Sequence, residues 1–309
     1  MSKIAFFFPG QGSQSVGMMN GFSDNPVIKQ TFIEASDVLG VDFLAMATAP
    51  NELLNLTQNT QPLMLIAGVA THCAYIEAGG LQASIHAGHS LGEYTALVAS
   101  SALSFADALP LVKFRAEAMQ AAVPEGVGAM AAILGLDDEQ VRVACLEAAQ
   151  GEVCDAVNYN SIGQVVIAGN KAAVERAMEI AKKKGAKRAL ALPVSVPSHC
   201  ALMRPAAQKL AEYLKNVTIN TPQIPVIHNA DIVSYHNAEQ IKDALVRQLY
   251  SPVRWVETVQ VIAAQGMTSS AECGPGKVLA GLTKRIVAEL PCTALTSNEA
   301  VAEFITTIN

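Results

Sequence analysis

Charge is scarce in this chain of 309 residues: Asp, Glu, Lys and Arg make up 16% of it, and 21 basic residues face 27 acidic ones. A formal net charge of -6 argues against general nucleic-acid binding, which needs a net basic footprint. The six cysteines (Cys73, Cys145, Cys154, Cys200, Cys273, Cys292) are scattered, with no C-x-x-C and no metal-ligand spacing. They read as reduced, mostly buried thiols rather than a disulfide framework or a metal site. Long apolar runs are missing too. No stretch of about 18 apolar residues exists to span a bilayer, and the opening MSKIAFFFPGQ has too short an apolar run before Pro9 for a signal peptide. The expectation is a soluble, cytoplasmic protein with no membrane and no nucleic-acid partner. What is plentiful is core material: 51% of residues are hydrophobic, enough for one large α/β domain or two smaller ones.

Residues 4–8 form a short apolar run closed by Pro9-Gly10, which predicts a buried strand entering a sharp turn. Residues 62–76 are small and apolar, as in a buried helix, and residues 84–88 make a brief run before helix formers take over. Ser104 followed by Asp107 suggests a capping box for the helix carrying LVKFRAEAMQAA, with Pro110 predicting a kink or a late start. From about residue 126 the rhythm changes. Strands are predicted at 130–134, 153–158, 165–168 and 188–192, and helices at 138–149, capped by Asp137, and 171–184. The order β-α-β-β-α-β is that of a ferredoxin-like unit. Prolines bracket it, so residues 126–197 read as a small subdomain inserted into a large one made of residues 1–125 and 198–309.

Gly88-His89-Ser90-Leu91-Gly92 fits G-x-S-x-G, a strand-to-helix turn that projects a serine hydroxyl. Three fixed positions arise by accident in roughly one chain of this length in ten, so the pattern alone is weak. Here an apolar run precedes it and a helix-prone run follows, as the mechanism requires. His89 is expected to pack beneath the turn, because neighbours on an elbow point different ways. His199 begins the segment that re-enters the large subdomain; from the residues alone it is either a structural histidine or the base. The residues leave a serine hydrolase and an acyltransferase level, with a non-catalytic acyl-binding module as a third reading.

Seven blocks decide more. FFFPGQGSQSVGM, TQPLM at 60–64, GHSLGEYTALVAS, NYNSIGQVVIAG at 158–169, VPSHCALM at 196–203, RQLYSPVRW at 247–255 and GPGKVL at 274–279 run in order over nearly the whole chain. Together they resemble the bacterial malonyl-CoA:acyl carrier protein transacylases of type II fatty acid synthesis. The chain departs from that pattern at Ser198-His199-Cys200 and at Pro110.

The resemblance implies an α/β-hydrolase-like core with an inserted ferredoxin-like subdomain, and transfer of a malonyl group from malonyl-CoA to acyl carrier protein through an ester on Ser90. It implies His199 as general base, held by the backbone carbonyl of Gln248 instead of a carboxylate. The oxyanion would be met by the N–H groups of Leu91 and Gln11. Arg115 would bind the malonyl carboxylate, a role for which a planar, permanently charged fork is suited; read in isolation it is a solvent-facing helix residue. Gln61 and Asn160 would line the pocket, or are satisfied core amides. Cys200 is a poor rival nucleophile. No cofactor and no metal is implied, and a monomer is expected. An acidic carrier protein needs local positive charge, which Lys182, Lys183, Lys184, Lys187 and Arg188 offer, or Lys277, Lys284 and Arg285; the lysine run reads equally well as a solvated helix end.

Overall fold

The computed structural model describes residues 3–194 and 196–309. Met1 and Ser2 of the opening run, and Ser195 near the end of the expected insertion, lie outside the described residues. The chain begins with β1 (Ile4–Phe8), every residue of it buried. A strand covered on both faces needs no alternation, and five successive apolar residues satisfy it. The helices α1 (Pro26–Leu39), α2 (Phe43–Thr48) and α3 (Thr57–Glu77) lead to β2 (Ile85–Gly88). After α4 (Gly92–Ala99) and α5 (Phe105–Gln120) come β3 (Gly128–Leu134), α6 (Asp138–Ala149), β4 (Cys154–Ser161), β5 (Gln164–Asn170), α7 (Lys171–Lys183) and β6 (Arg188–Ala191). The remainder is α8 (Arg204–Leu214), β7 (Val226–Ile227), α9 (Ala238–Gln248), α10 (Trp255–Ala264), β8 (Ser269–Cys273), α11 (Val278–Ile286), β9 (Cys292–Leu295) and α12 (Asn298–Ile308).

Two separate sheets result. One is parallel, in the order β7-β2-β1-β8-β9; the other is antiparallel, in the order β4-β5-β3-β6. The parallel sheet is covered on both faces. Ile4, Phe6 and Phe8 of β1 join the cluster formed with α1, α3, α5 and α8, whereas Ala5 and Phe7 face Trp255, Val259 and Leu282 on the other side. The antiparallel sheet buries Ala131, Ile133, Val165 and Ile167 against α6 and α7. It is tied to the larger body by a short parallel bridge, in which Val253 N–H donates to Val157 O at 2.8 Å and Tyr159 N–H to Val253 O at 3.0 Å.

Two expectations need correction. Of the kink or late start expected at Pro110, the late start does not occur: α5 begins at Phe105 and runs through the proline. A proline more than a turn inside a helix loses one backbone bond, and burial of Ala108, Leu109, Leu111 and Val112 against the core offsets it. Its capping box also forms only by half. Ser104 Oγ accepts from Asp107 N–H at 3.0 Å, but the Asp107 carboxylate accepts from the Ser104 hydroxyl at 2.6 Å rather than from its backbone. The box predicted through Asp137 is complete, with Gln140 as its return partner.

Candidate active site

Parallel packing sets β1 and β2 side by side with Phe8 opposite Gly88, so the turns that leave their carboxyl ends meet. Such strand ends are where open α/β sheets bind ligands. Ser90 occupies the left-handed region at φ 53°, a conformation costing a non-glycine residue about 1 kcal/mol or more. Neighbouring glycines make the bend sterically feasible. A Cβ on Gly92 would lie 1.9 Å from the Phe8 carbonyl oxygen, and one on Gly10 would lie 2.4 Å from His89 O and 3.6 Å from Leu91 N. The turn holding Gln11 therefore lies directly against the elbow. Among the described residues no backbone carbonyl accepts from the N–H of Gln11 or Leu91. The Gln11 side chain points elsewhere, its amide donating to Thr57 Oγ1 at 3.3 Å.

His199 reaches the serine from 109 residues away: its Nε2 is 2.7 Å from Ser90 Oγ. It too is left-handed, at φ 66°, and its N–H donates to Leu249 O at 3.0 Å. Nδ1 lies 2.8 Å from the Gln248 carbonyl oxygen, an acceptor, so Nδ1 carries the proton and Nε2 is left as the basic nitrogen facing the hydroxyl. Burial, reinforced by the Arg115 guanidinium, pushes the imidazole pKa down to about 3. Cys200 next door is inert. Its thiol is pushed up to about 12 by burial and donates to Pro197 O at 3.1 Å.

Arg115 is buried, not solvent-facing as its isolated reading has it; only 1% of its surface is exposed. Nη1 donates to Gln61 Oε1 at 2.7 Å, and Nη2 to Gln248 Oε1 at 2.9 Å and weakly to Ser90 Oγ at 3.4 Å. The Tyr94 ring lies 5.4 Å from the guanidinium carbon. Among the described residues no carboxylate pairs with it directly. Burial lowers its pKa from the ordinary arginine value, yet a guanidinium retains its charge. A buried cation held by two neutral amide oxygens and, weakly, by the hydroxyl of the nucleophile is poised to accept an anion. Gln61 thus reaches the site through Arg115. Asn160 reaches it through His89, with Oδ1 2.8 Å from His89 Nε2. The His89 ring, half-buried, packs 5.5 Å from that of Trp255, in keeping with the packing role expected of it.

Three residues of the site carry no role in the sequence reading: Glu93, His228 and Asn229. Glu93 is fully buried in the first turn of α4. It lies 2.7 Å from His228 Nδ1 and accepts from Asn229 N–H at 3.0 Å and from Gln248 Nε2 at 2.9 Å. Asn229 clamps the elbow, accepting from Ser90 N–H at 2.7 Å and donating to Gly88 O at 2.6 Å. The available signal was Glu93 three residues after the elbow serine, and the polar His228-Asn229 pair directly after the apolar Val226-Ile227.

The basic residues considered for docking lie outside this network. Lys182 pairs with Glu179 at 2.7 Å and Lys184 with Glu147 at 2.8 Å, which supports the solvated-helix-end reading of that run. On α11, Arg285 Nη1 donates to Gln164 Oε1 at 3.0 Å.

A family model described as acyl transferase domain matches residues 5–306. The chain is 55% identical over 304 residues to the malonyl CoA-acyl carrier protein transacylase of Escherichia coli (strain K12), covering 98% of each chain. Among solved structures, an acyl-carrier-protein S-malonyltransferase from Burkholderia pseudomallei 1710b superposes with a TM-score of 0.97 at 58% identity, covering 98% of this chain and 99% of that one. A malonyl-transacylase in complex with its type II PKS acyl-carrier protein superposes with a TM-score of 0.97 at 52% identity, covering 99% of this chain and 100% of that one.

Proposed function

The chain belongs to the acyl transferase domain family, and we propose on that premise how its residues carry a malonyl group from coenzyme A to acyl carrier protein. The enzyme transfers a malonyl group from malonyl-CoA to acyl carrier protein, and we read its product as supplying fatty acid elongation. The observation that carries the residue-level reading is the Ser90–His199 contact at 2.7 Å with Arg115 beside it.

His199 Nε2 takes the hydroxyl proton as Ser90 Oγ attacks the thioester carbon. The N–H groups of Leu91 and Gln11 receive the developing oxyanion, and the thiolate of coenzyme A leaves with the proton from His199. The malonyl ester stays on Ser90 with its carboxylate on Arg115. The phosphopantetheine thiol of the carrier protein then gives its proton to His199 and attacks the ester carbonyl. The bond to Ser90 Oγ breaks, His199 Nε2 returns the proton to that oxygen, and the malonyl group leaves as the carrier-protein thioester. A neutral carbonyl behind the imidazole stabilises imidazolium less than a carboxylate would, and a thiolate leaving group asks less of it. A hydrolase would have no use for a buried cation at this position. Malonyl-CoA and the carrier protein are both substrates, and no resident cofactor enters the scheme. We read residues 126–197 as a ferredoxin-like subdomain inserted in an α/β-hydrolase-like core of residues 1–125 and 198–309, the enzyme acting as a monomer. Among the described residues no helix is long and apolar enough to cross a membrane.

The protein incubated with malonyl-CoA alone is expected to gain one malonyl mass, and the adduct to be discharged by phosphopantetheinylated carrier protein much faster than by water. Steady release of free malonate without an adduct would replace transfer by hydrolysis.

A pH profile tests the base. A histidine whose folded pKa is about 3 stays neutral, hence basic, at every pH above that value. The kcat/KM for malonyl-CoA, which reports the free enzyme, is therefore expected to stay level from pH 8 down to about pH 5. An ordinary histidine would halve it near pH 6.5. In the loaded enzyme the malonyl carboxylate offsets the Arg115 charge, so the acid limb of kcat is expected at higher pH than that of kcat/KM. A kcat/KM limb near 6.5 would show that burial and Arg115 do not govern His199.

A further inference from the structure

We propose that Glu93 is a positioning residue that sets the malonyl clamp and the nucleophile elbow at once, acting through the side chains of Gln248 and Asn229. The inference rests on the reading of Arg115 as the carboxylate-binding residue.

The side-chain amide of Gln248 has one accepting and one donating end. Its Oε1 accepts from Arg115 Nη2 at 2.9 Å; its Nε2 donates to Glu93 Oε2 at 2.9 Å and to Ser90 O at 3.0 Å. Turned over, the amide would aim two N–H donors at the guanidinium and leave a buried cation without that acceptor. The accepting Glu93 oxygen holds it in the working orientation. It also holds the one carboxylate of the network a full side chain away from Arg115. A carboxylate placed directly on Arg115 would occupy the donors a malonyl group needs; placed one amide away, it lends negative charge without competing. His228 Nδ1, at 2.7 Å from Oε1, fixes the other end of the carboxyl group, and Tyr235 packs 5.3 Å from the His228 ring.

The second arm runs to the nucleophile. Glu93 Oε2 accepts from the backbone N–H of Asn229, whose side chain bonds both Ser90 N–H and Gly88 O. Those two bonds bracket His89 and hold the chain where it enters the left-handed Ser90. One buried carboxyl group thus fixes the frame in which nucleophile and cation sit 3.4 Å apart.

Glu93→Gln keeps the shape but puts an amide where both oxygens accepted, so the orientation of Gln248 is no longer dictated. Single-turnover acyl-enzyme formation, followed by intact mass, would be measured with malonyl-CoA and with acetyl-CoA beside thermal unfolding. Acetylation reads the elbow arm alone, and the malonyl-to-acetyl rate ratio reads the clamp. Both rates are expected to fall, with the malonyl rate falling about tenfold further. Gln248→Met leaves Glu93 in place, breaks the same link, and is expected to lower the ratio to a similar degree even if Glu93→Gln is too unstable to assay. A purely structural role would lower the melting temperature and both rates together, so unchanged ratios in the folded variants would overturn the proposal. Arg115→Ala run alongside separates the two readings: a ratio unmoved there defeats the Arg115 assignment, whereas a ratio that drops there but not in Glu93→Gln or Gln248→Met defeats only the proposal made here.

Discussion

Ser90→Ala is expected to form no malonyl adduct and to lose malonyl transfer by a factor on the order of 10⁵ to 10⁶, the scale seen when a serine nucleophile is removed from a base-assisted site. The hydroxyl is the only atom lost. The clamp on the elbow is made by the Ser90 backbone, whose N–H goes to Asn229 and whose carbonyl accepts from Gln248, and alanine retains both. The fold should therefore be kept, and the melting temperature should move by no more than a few degrees. Removal of Oγ also takes a weak partner from Arg115 but leaves Gln61 and Gln248 on the guanidinium, so malonyl-CoA should still bind. Binding without an adduct, measured by calorimetry and intact mass on one preparation, would separate lost chemistry from lost recognition. A malonyl adduct persisting in Ser90→Ala would move the nucleophile elsewhere; Cys200, its thiol pushed up to about 12 by burial, is poorly suited to take over.

What could be read from the sequence was what is local. The elbow depends on glycines two residues either side of the serine, and short-range sterics fix it wherever it occurs. The helices and strands of the β-α-β-β-α-β segment were legible because its amphipathic helices alternate cleanly with half-buried strands, and Asp137 caps as its spacing predicts. Buried strands were harder. β7 has two residues and β8 is Ser-Ser-Ala-Glu-Cys, neither of which announces a strand by alternation or by β-branched content; the parallel sheet recruits them through pairing with β2 and β1. Helix starts slipped for a related reason. Pro62 and Pro110 look like boundaries, but tertiary burial carries α3 and α5 through both.

The polar core of the site lay furthest from view. Ser90–His199 spans 109 residues, Arg115–Gln248 133 and Glu93–Gln248 155. No periodicity reports a hydrogen bond across such distances. Resemblance supplied His199 and the Gln248 carbonyl because those positions fall in matching blocks, and Arg115 because the family's carboxylate-binding arginine falls on it. It assigned nothing to Glu93 and Asn229, whose contacts only the folded chain brings together. Gln248 combines both cases: its backbone role was expected, while its side chain, bonded to Arg115, Ser90 and Glu93, was not.

Arg115→Ala should separate malonyl recognition from acyl transfer. A malonyl carboxylate entering this site loses its water and, in the variant, finds no charge to replace it. Breaking one side of a buried charge pair costs about 3–5 kcal/mol, a factor on the order of 10² to 10³ or more in rate. Malonyl-enzyme formation should fall by that much. Acetyl transfer places no carboxylate there and should change far less, so the malonyl-to-acetyl ratio collapses toward unity. Arg115→Lys should land between: a point charge on a flexible stem can meet one oxygen but cannot serve Gln61, Gln248 and a carboxylate together, as the planar fork does. Stability should respond differently from activity. Without substrate, Arg115 is a desolvated cation with only neutral acceptors, and its removal relieves that cost while opening space between Gln61 and Gln248. The melting temperature of Arg115→Ala is therefore expected to hold or rise even as malonyl transfer falls. A site strained toward its ligand behaves in this way. A variant that loses stability and both acyl activities in equal measure would instead mark Arg115 as a packing residue and leave the choice of malonyl to some other group.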